Sequence, residues 1–231
     1  GSRKSLDMKI AGERVYRLTV IKSVVSDFID KRVDDRIGMV IFGTHAYAQA
    51  PVTLDHDILK EYLEGTSIGM AGESTAIGDA LGLAVRSLKD LKSKNKIIIL
   101  LTDGENTAGS LSPSQMAGLA KDLKLKIYTI GVGSTGRVPF KTRFGMQTAS
   151  VTLDEVLLKS IASETGGLYF RAQDTEALVE IYETIDKLEK TELKVASYHN
   201  YEEKYSLFLW LSAFFLVLNI VLSATKLRRV P

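Results

Sequence analysis

Asp103 and Thr75 are the residues of this 231-residue chain whose types and settings best suit chemistry. Asp103 closes Ile97 to Asn106, IIILLTDGEN, in which five apolar residues stop abruptly at Thr-Asp-Gly-Glu. Such a run reads as a buried parallel strand with a carboxylate at its C-terminal tip, and in open α/β sheets ligands bind in the crevice beyond those tips. Thr75 lies in Gly72 to Gly78, GESTAIG, a loop that opens a helix and offers a hydroxyl at its N-terminus. A hydroxyl and a carboxylate are hard oxygen donors that suit Mg²⁺, with Mn²⁺ or Ca²⁺ as alternatives. Each residue also has an ordinary reading, Thr75 as a helix cap and Asp103 as a turn or cap residue.

Other chemistries find less support. The chain has no cysteine, so a disulfide, a thiolate nucleophile and a thiolate metal site are all excluded. Gly131 to Gly136 (GVGSTG) matches the dinucleotide fingerprint, but Arg137-Val-Pro-Phe-Lys leads into a polar loop, not the helix whose N-terminus would hold the phosphate. His45, His56 and His199 are the only histidines, and no G-x-S-x-G elbow accompanies them. The 30 basic and 28 acidic residues are scattered, which leaves no basic face for nucleic acid. The chain therefore reads as a non-enzyme.

The elements that must position Thr75 and Asp103 follow from hydrophobic period. Val15, Leu18, Ile21, Val24, Val25 and Phe28 form the stripe of an amphipathic helix. Arg36 to Gly43 and Ala46 to Leu54 read as two strands joined by a turn too tight for anything but an antiparallel pair. Asp55 caps a helix to about Glu64, and Thr75 to Leu91 is another. After the strand ending at Asp103, Ser112-Pro113 starts a helix and Leu125 to Val132 is a further strand. Ser134 to Ser150 reads as an irregular surface insertion. Asp154 to Thr165 is a helix ended by Gly166, Leu168 to Ala172 a strand, and Asp174 to about Glu192 the last helix of the domain. The alternation predicts an α/β, doubly wound, Rossmann-like and mostly parallel sheet with one antiparallel strand. Because the chain opens on a helix, the first central strand is expected upstream of Gly1.

Ser206 to Thr225 runs for twenty residues without a charge, a length that suits a helix across the ~30 Å hydrocarbon layer. The predicted organisation is an α/β domain over 1–192, a juxtamembrane stalk over 193–204, a transmembrane helix over 205–225 and a short basic tail over 226–231. Lys226, Arg228 and Arg229 follow the apolar run, which by the positive-inside tendency puts the tail in the cytoplasm and the domain outside.

The segments IGMVIFGTHAYAQAPVTLDHD, STAIGDALGLAV, KIIILLTDGENTAG and KIYTIGVGS resemble the von Willebrand factor A domain, and in particular the bacterial membrane-anchored BatA/BatB aerotolerance-type proteins. The resemblance spans about Glu13 to Leu188, and the C-terminal apolar run fits that group. It implies a metal-ion-dependent adhesion site at the top of the sheet, built from an Asp-x-Ser-x-Ser loop, a threonine and an aspartate. Thr75 matches the threonine and Asp103 the aspartate. Gly1-Ser2 is either a cloning remnant or the end of the Asp-x-Ser-x-Ser loop; on the second reading Ser2 is its last serine and the remaining ligands lie upstream. Such a site leaves one metal position open for an Asp or Glu carboxylate of a protein partner, and other membrane-associated proteins of the same type are candidate partners. The resemblance also implies a bacterial inner-membrane location and a link to stress or oxygen tolerance. The competing reading is a membrane-tethered scaffold that works without metal.

Overall fold

Alternating apolar runs and amphipathic stripes fold as their periods require. The computed structural model describes the backbone of all residues except 1–7, 11, 12, 16, 94, 133–135, 143, 144, 152, 198–204 and 226–231; side-chain surroundings are described for 18–93, 95–132, 153–189 and 209–221. The chain divides into two units, Gly1–Glu189 and Lys190–Pro231.

In the first unit a short hairpin, β1 (Met8–Ile10) and β2 (Glu13–Val15), precedes α1 (Arg17–Asp30). The expected opening helix therefore starts later than Val15, which pairs with Met8. β3 (Ile37–Phe42) and β4 (Ala46–Thr53) form the predicted antiparallel pair, and α2 (His56–Glu64) follows, capped by the Asp55 side chain, which accepts from Ile58 N at 3.1 Å. α3 (Ile77–Leu88) leads into β5 (Ile97–Thr102), α4 (Pro113–Asp122) and β6 (Lys126–Val132). α5 (Glu155–Glu164), capped by Asp154 on Leu157 N at 2.9 Å, leads to β9 (Tyr169–Ala172). Between β6 and α5 the predicted irregular insertion is instead a hairpin, β7 (Gly136–Thr142) with β8 (Gly145–Val151), paired antiparallel in unbroken register. Gly136 thus opens a strand, and no helix N-terminus follows the glycine run.

The hydrogen-bonded sheet is more divided than predicted. β5, β6 and β9 form a parallel trio in the order β5-β6-β9, while β3 and β4 form a separate antiparallel pair. Among the described residues no ladder joins β3 to β5, so each pairs on one side only. The one antiparallel strand expected of a continuous sheet is therefore replaced by three antiparallel hairpins beside the parallel trio. Two apolar clusters cover the faces of the trio. Val20 and Val24 of α1 pack with Tyr128, Ile130, Leu178 and Ile185 on one face; Ile77, Leu81 and Val85 of α3 pack with Ile98, Leu100, Ile127 and Leu158 on the other. A smaller cluster of Ile29, Ala50, Leu59 and Leu63 lies under the β3–β4 pair.

α6 (Thr175–Ser197) runs five residues beyond the predicted end of the last domain helix, into the expected stalk, so its last turns belong to the second unit. The final helix α7 (Tyr205–Thr225) is in the predicted place, and every described side chain on it, from 209 to 221, is exposed. Among the described residues no helix is long and apolar enough to cross a membrane. The basic tail lies outside the described residues.

Candidate functional site

The loop before α3 is fixed first by glycine and by hydrogen bonds to the β3–β4 turn. Gly72 takes φ +91°, a conformation that side chains rarely adopt, and any Cβ there would collide with Thr44. Ser74 N donates to Thr44 Oγ1 at 3.3 Å, His45 N to Ala71 O at 3.1 Å, and Ala76 N to Gly43 O at 2.8 Å. Loop 71–76 is thereby stitched to one strand pair.

The same loop is stitched on its other side to the loop that leaves β5. Thr107 N and Ala108 N both donate to Thr75 O, at 2.9 and 3.1 Å, while Thr75 N donates to Thr107 Oγ1 at 3.1 Å. Asn106 Oδ1 accepts from Ile77 N at 2.8 Å and so caps α3 from 29 residues away. Asp79, one turn into α3, reaches back: its Oδ1 accepts from Ser110 N at 2.9 Å and Leu111 N at 2.8 Å.

These bonds settle what Thr75 does locally. The N-cap of α3 is Ala76, which makes no side-chain cap bond, and the capping is done by Asn106. Thr75 is therefore not a helix cap, and its hydroxyl makes no hydrogen bond among the described residues. That hydroxyl lies against the other loop, where a Cβ added to Gly104 would sit 3.4 Å from Thr75 Oγ1. Asp103 is the neighbour of Gly104 and half-buried, just past the buried Thr102, whose hydroxyl accepts from Gly104 N at 3.3 Å and fixes the turn. The structure thus brings the loops of Thr75 and Asp103 together at the C-terminal tips of the strands. Exposed Glu73 and Glu105 add negative charge on the two loops. Ser2 lies outside the described residues.

The donors present are a hydroxyl and a carboxylate, which fits a small hard cation that keeps most of its waters. Among the described residues no group of three or more His, Cys, Asp or Glu is gathered as a metal cluster. His45 is exposed in the β3–β4 turn, and His56 opens α2 with Nε2 2.9 Å from Asp35 O; His199 is outside the described residues. Sequence reading missed Asn106, Thr107, Asp79 and Thr44. Each acts on backbone far along the chain, so no local spacing announces it.

Comparison with known proteins agrees with this architecture. The family model for the von Willebrand factor type A domain matches residues 13–184. An uncharacterized protein of Borreliella burgdorferi is 29% identical over 219 residues, covering 93% of this chain and 64% of its own length. The chain thus spans less than two thirds of the curated relatives it matches. Among solved structures, the conserved hypothetical protein BatB from Bacteroides thetaiotaomicron is 28% identical with a TM-score of 0.68, over 82% of this chain and 94% of that one. An aerotolerance-related membrane protein from Bacteroides fragilis is 27% identical with a TM-score of 0.68, over 80% and 92%. Proximal thread matrix protein 1 from the mussel byssus, solved with a zinc-occupied MIDAS motif, is 25% identical with a TM-score of 0.57, over 74% and 40%. The match of the family model over residues 13–184, well over half of the chain, shows that the chain belongs to the von Willebrand factor type A domain family.

Proposed function

We propose that the protein is a membrane-anchored interaction module in which Thr75 and Asp103 help hold a divalent cation, Mg²⁺ in the first instance, that bridges to an Asp or Glu of a protein partner. The observation that carries this reading is the Thr75 hydroxyl, relieved of capping by Asn106 and set against Gly104 beside Asp103. A hydroxyl left without a hydrogen bond, in a loop that meets the loop of Asp103, is what a cation site needs from a second ligand. The zinc-occupied motif of the mussel protein supports a metal at this position of the fold. The metal, when bound, supplies an open coordination position; the chain's own part is to hold the two oxygens in place through the Thr75–Thr107 and Ile77–Asn106 bonds. No covalent chemistry is involved.

Two donors leave several positions to water or to further residues. Ser2 and an upstream Asp-x-Ser would fill them, and a parallel strand leading into that loop would pair with the open sides of β3 and β5. The aerotolerance-related membrane protein from Bacteroides fragilis supports the membrane setting. So does α7, whose apolar side chains are exposed on all faces, with Trp210, Phe214, Phe215 and Ile220 each more than half exposed. A helix of 21 residues would reach ~31 Å, about the thickness of the hydrocarbon layer. With α7 spanning and the basic tail on the cytoplasmic side, the domain over 1–192 lies outside the inner membrane, and stress or oxygen tolerance is the process in which the module acts.

Mg²⁺ titration calorimetry on the chain carrying its natural upstream residues tests the site. Thr75→Val and Asp103→Ala are each expected to weaken binding at least tenfold with folding retained. Unchanged Mg²⁺ affinity in Asp103→Ala would favour the scaffold that works without metal.

A further inference from the structure

A groove of about 410 Å³ lies along α3, lined by apolar Leu83, Leu111 and Met116 together with His45, Asp79 and Arg86. It exists because residue 82 is glycine: a Cβ there would come within 2.6 Å of Leu111 Cδ1 and 3.3 Å of Met116 Sδ. Leu111 can therefore lie across the helix, where it stays 41% exposed. An acidic group also lines the groove, but Asp79 has its Oδ1 committed to the backbone of Ser110 and Leu111. Arg86, by contrast, is exposed and makes no ion pair among the described residues, and the His45 ring makes no side-chain hydrogen bond. With the Asp79 carboxylate held by that backbone, the Arg86 end of the groove offers an exposed cation beside an apolar floor. Two of its lining residues neighbour the loop of the candidate metal site: His45 N is bonded to Ala71 O, and Asp79 lies four residues beyond Thr75.

We propose that this groove receives an extended acidic segment of the protein partner, which seats an apolar side chain between Leu83 and Met116 and pairs a carboxylate with Arg86. The proposal rests on the metal-bridged reading only for the carboxylate that starts the segment. From the start of α3 beside Thr75, Arg86 lies nine residues on, ~13 Å along the helix, a distance that about four residues of extended chain would cover. The groove thus selects partners whose second acid follows the first at that spacing with an apolar residue between. Charge complementarity at the Arg86 end supplies direction as well as affinity.

The test uses the full chain in detergent with ¹³C-methyl methionine and Mg²⁺, titrated with the acetylated, amidated peptide Asp-Gly-Leu-Gly-Glu and with its Gln-ended analogue. The Met116 methyl resonance is expected to shift with the first peptide. Arg86→Glu should weaken binding about fivefold, and the Gln-ended peptide should lose affinity against the parent protein but not against Arg86→Glu. A Met116 signal that stays still, or an Arg86→Glu protein that binds as the parent does, overturns the proposal. EDTA and Asp103→Ala separate the two ideas. If both leave affinity unchanged while the Met116 shift and the Arg86 effect persist, the groove stands and the metal reading fails. If binding needs Mg²⁺ but ignores Arg86, the metal reading stands and the groove fails.

Discussion

β6 and β3 are strands of nearly equal length in one unit, yet they are held in opposite ways. β6 is paired on both sides, by β5 and β9, and six of its seven residues are buried. β3 is paired by β4 alone and none of its residues is fully buried. The parallel trio carries its own core on two faces, whereas the β3–β4 pair meets the rest through side chains such as Phe42 and through the bonds of loop 71–76. The difference teaches where function can sit. Loop 71–76 is tied on one side to the β3–β4 turn and on the other to the loop leaving β5, so the candidate site occupies the seam between a well-buried block and a less buried one.

The sharpest way to break that contrast is to empty both cores. Ile127→Ala in β6, where the side chain is fully buried, should cost about 3–5 kcal/mol of unfolding free energy; Leu59→Ala under the β3–β4 pair should cost about 2–3. Denaturant unfolding of the two variants compares them, and equal losses would erase the distinction between the blocks. Next in size is Glu189, buried against Lys126 Nζ at 3.1 Å and Tyr128 Oη at 2.6 Å, where it ties α6 to β6. Glu189→Ala removes both bonds and should cost about 2–3 kcal/mol, read from the same melts.

At the seam the effects are smaller and more selective. Asn106→Ala removes the cap of α3 and should lower stability by about 1 kcal/mol. It should also weaken Mg²⁺ binding by more than that loss explains, because the Thr75 backbone is no longer fixed; calorimetry beside thermal melts separates the two, and a variant that melts early but binds Mg²⁺ normally would remove Asn106 from the site. Thr107→Val loses the bond to Thr75 N and should behave the same way at about 1 kcal/mol, with Thr107→Ser restoring both readouts.

The smallest expected effect lies away from the seam. Lys159, foremost, and Arg171 hold the Glu155 carboxyl below its ordinary pKa. A depressed carboxylate adds stability above its unfolded pKa and loses it as pH falls through the folded value. Acid melts of Glu155→Gln should therefore run slightly below the parent at neutral pH and converge with it under acid; a constant gap down to the lowest pH would refute the assignment.

Much of this was legible in the sequence because it is local. Asp55 and Asp154 cap helices three residues on, the apolar run before Asp103 is a strand, and Ala46 pairs back on Phe42 through a turn too short for a crossover. What was not legible is what acts at a distance or depends on a neighbour. Asn106 looks like a turn residue until its partner 29 positions earlier is known. Residues 134–150 are polar and basic with weak alternation, so nothing in their period announces a hairpin whose strands pair with each other. The stripe on α1 was read as Val15, Leu18, Ile21, Val24, Val25 and Phe28; Val24 is buried as read, but the other buried positions are Val20 and Ile29, because the helix is covered by the trio and by α2 from different sides.

The most direct test of a cation held at the seam is Mn²⁺ added in small amounts to the ¹⁵N-labelled full chain, with amide line broadening followed residue by residue. Broadening is expected first at residues 74–76 and 102–105, and Asp103→Ala should abolish it there. Broadening centred elsewhere, or unchanged in Asp103→Ala, would contradict a metal held by Thr75 and Asp103.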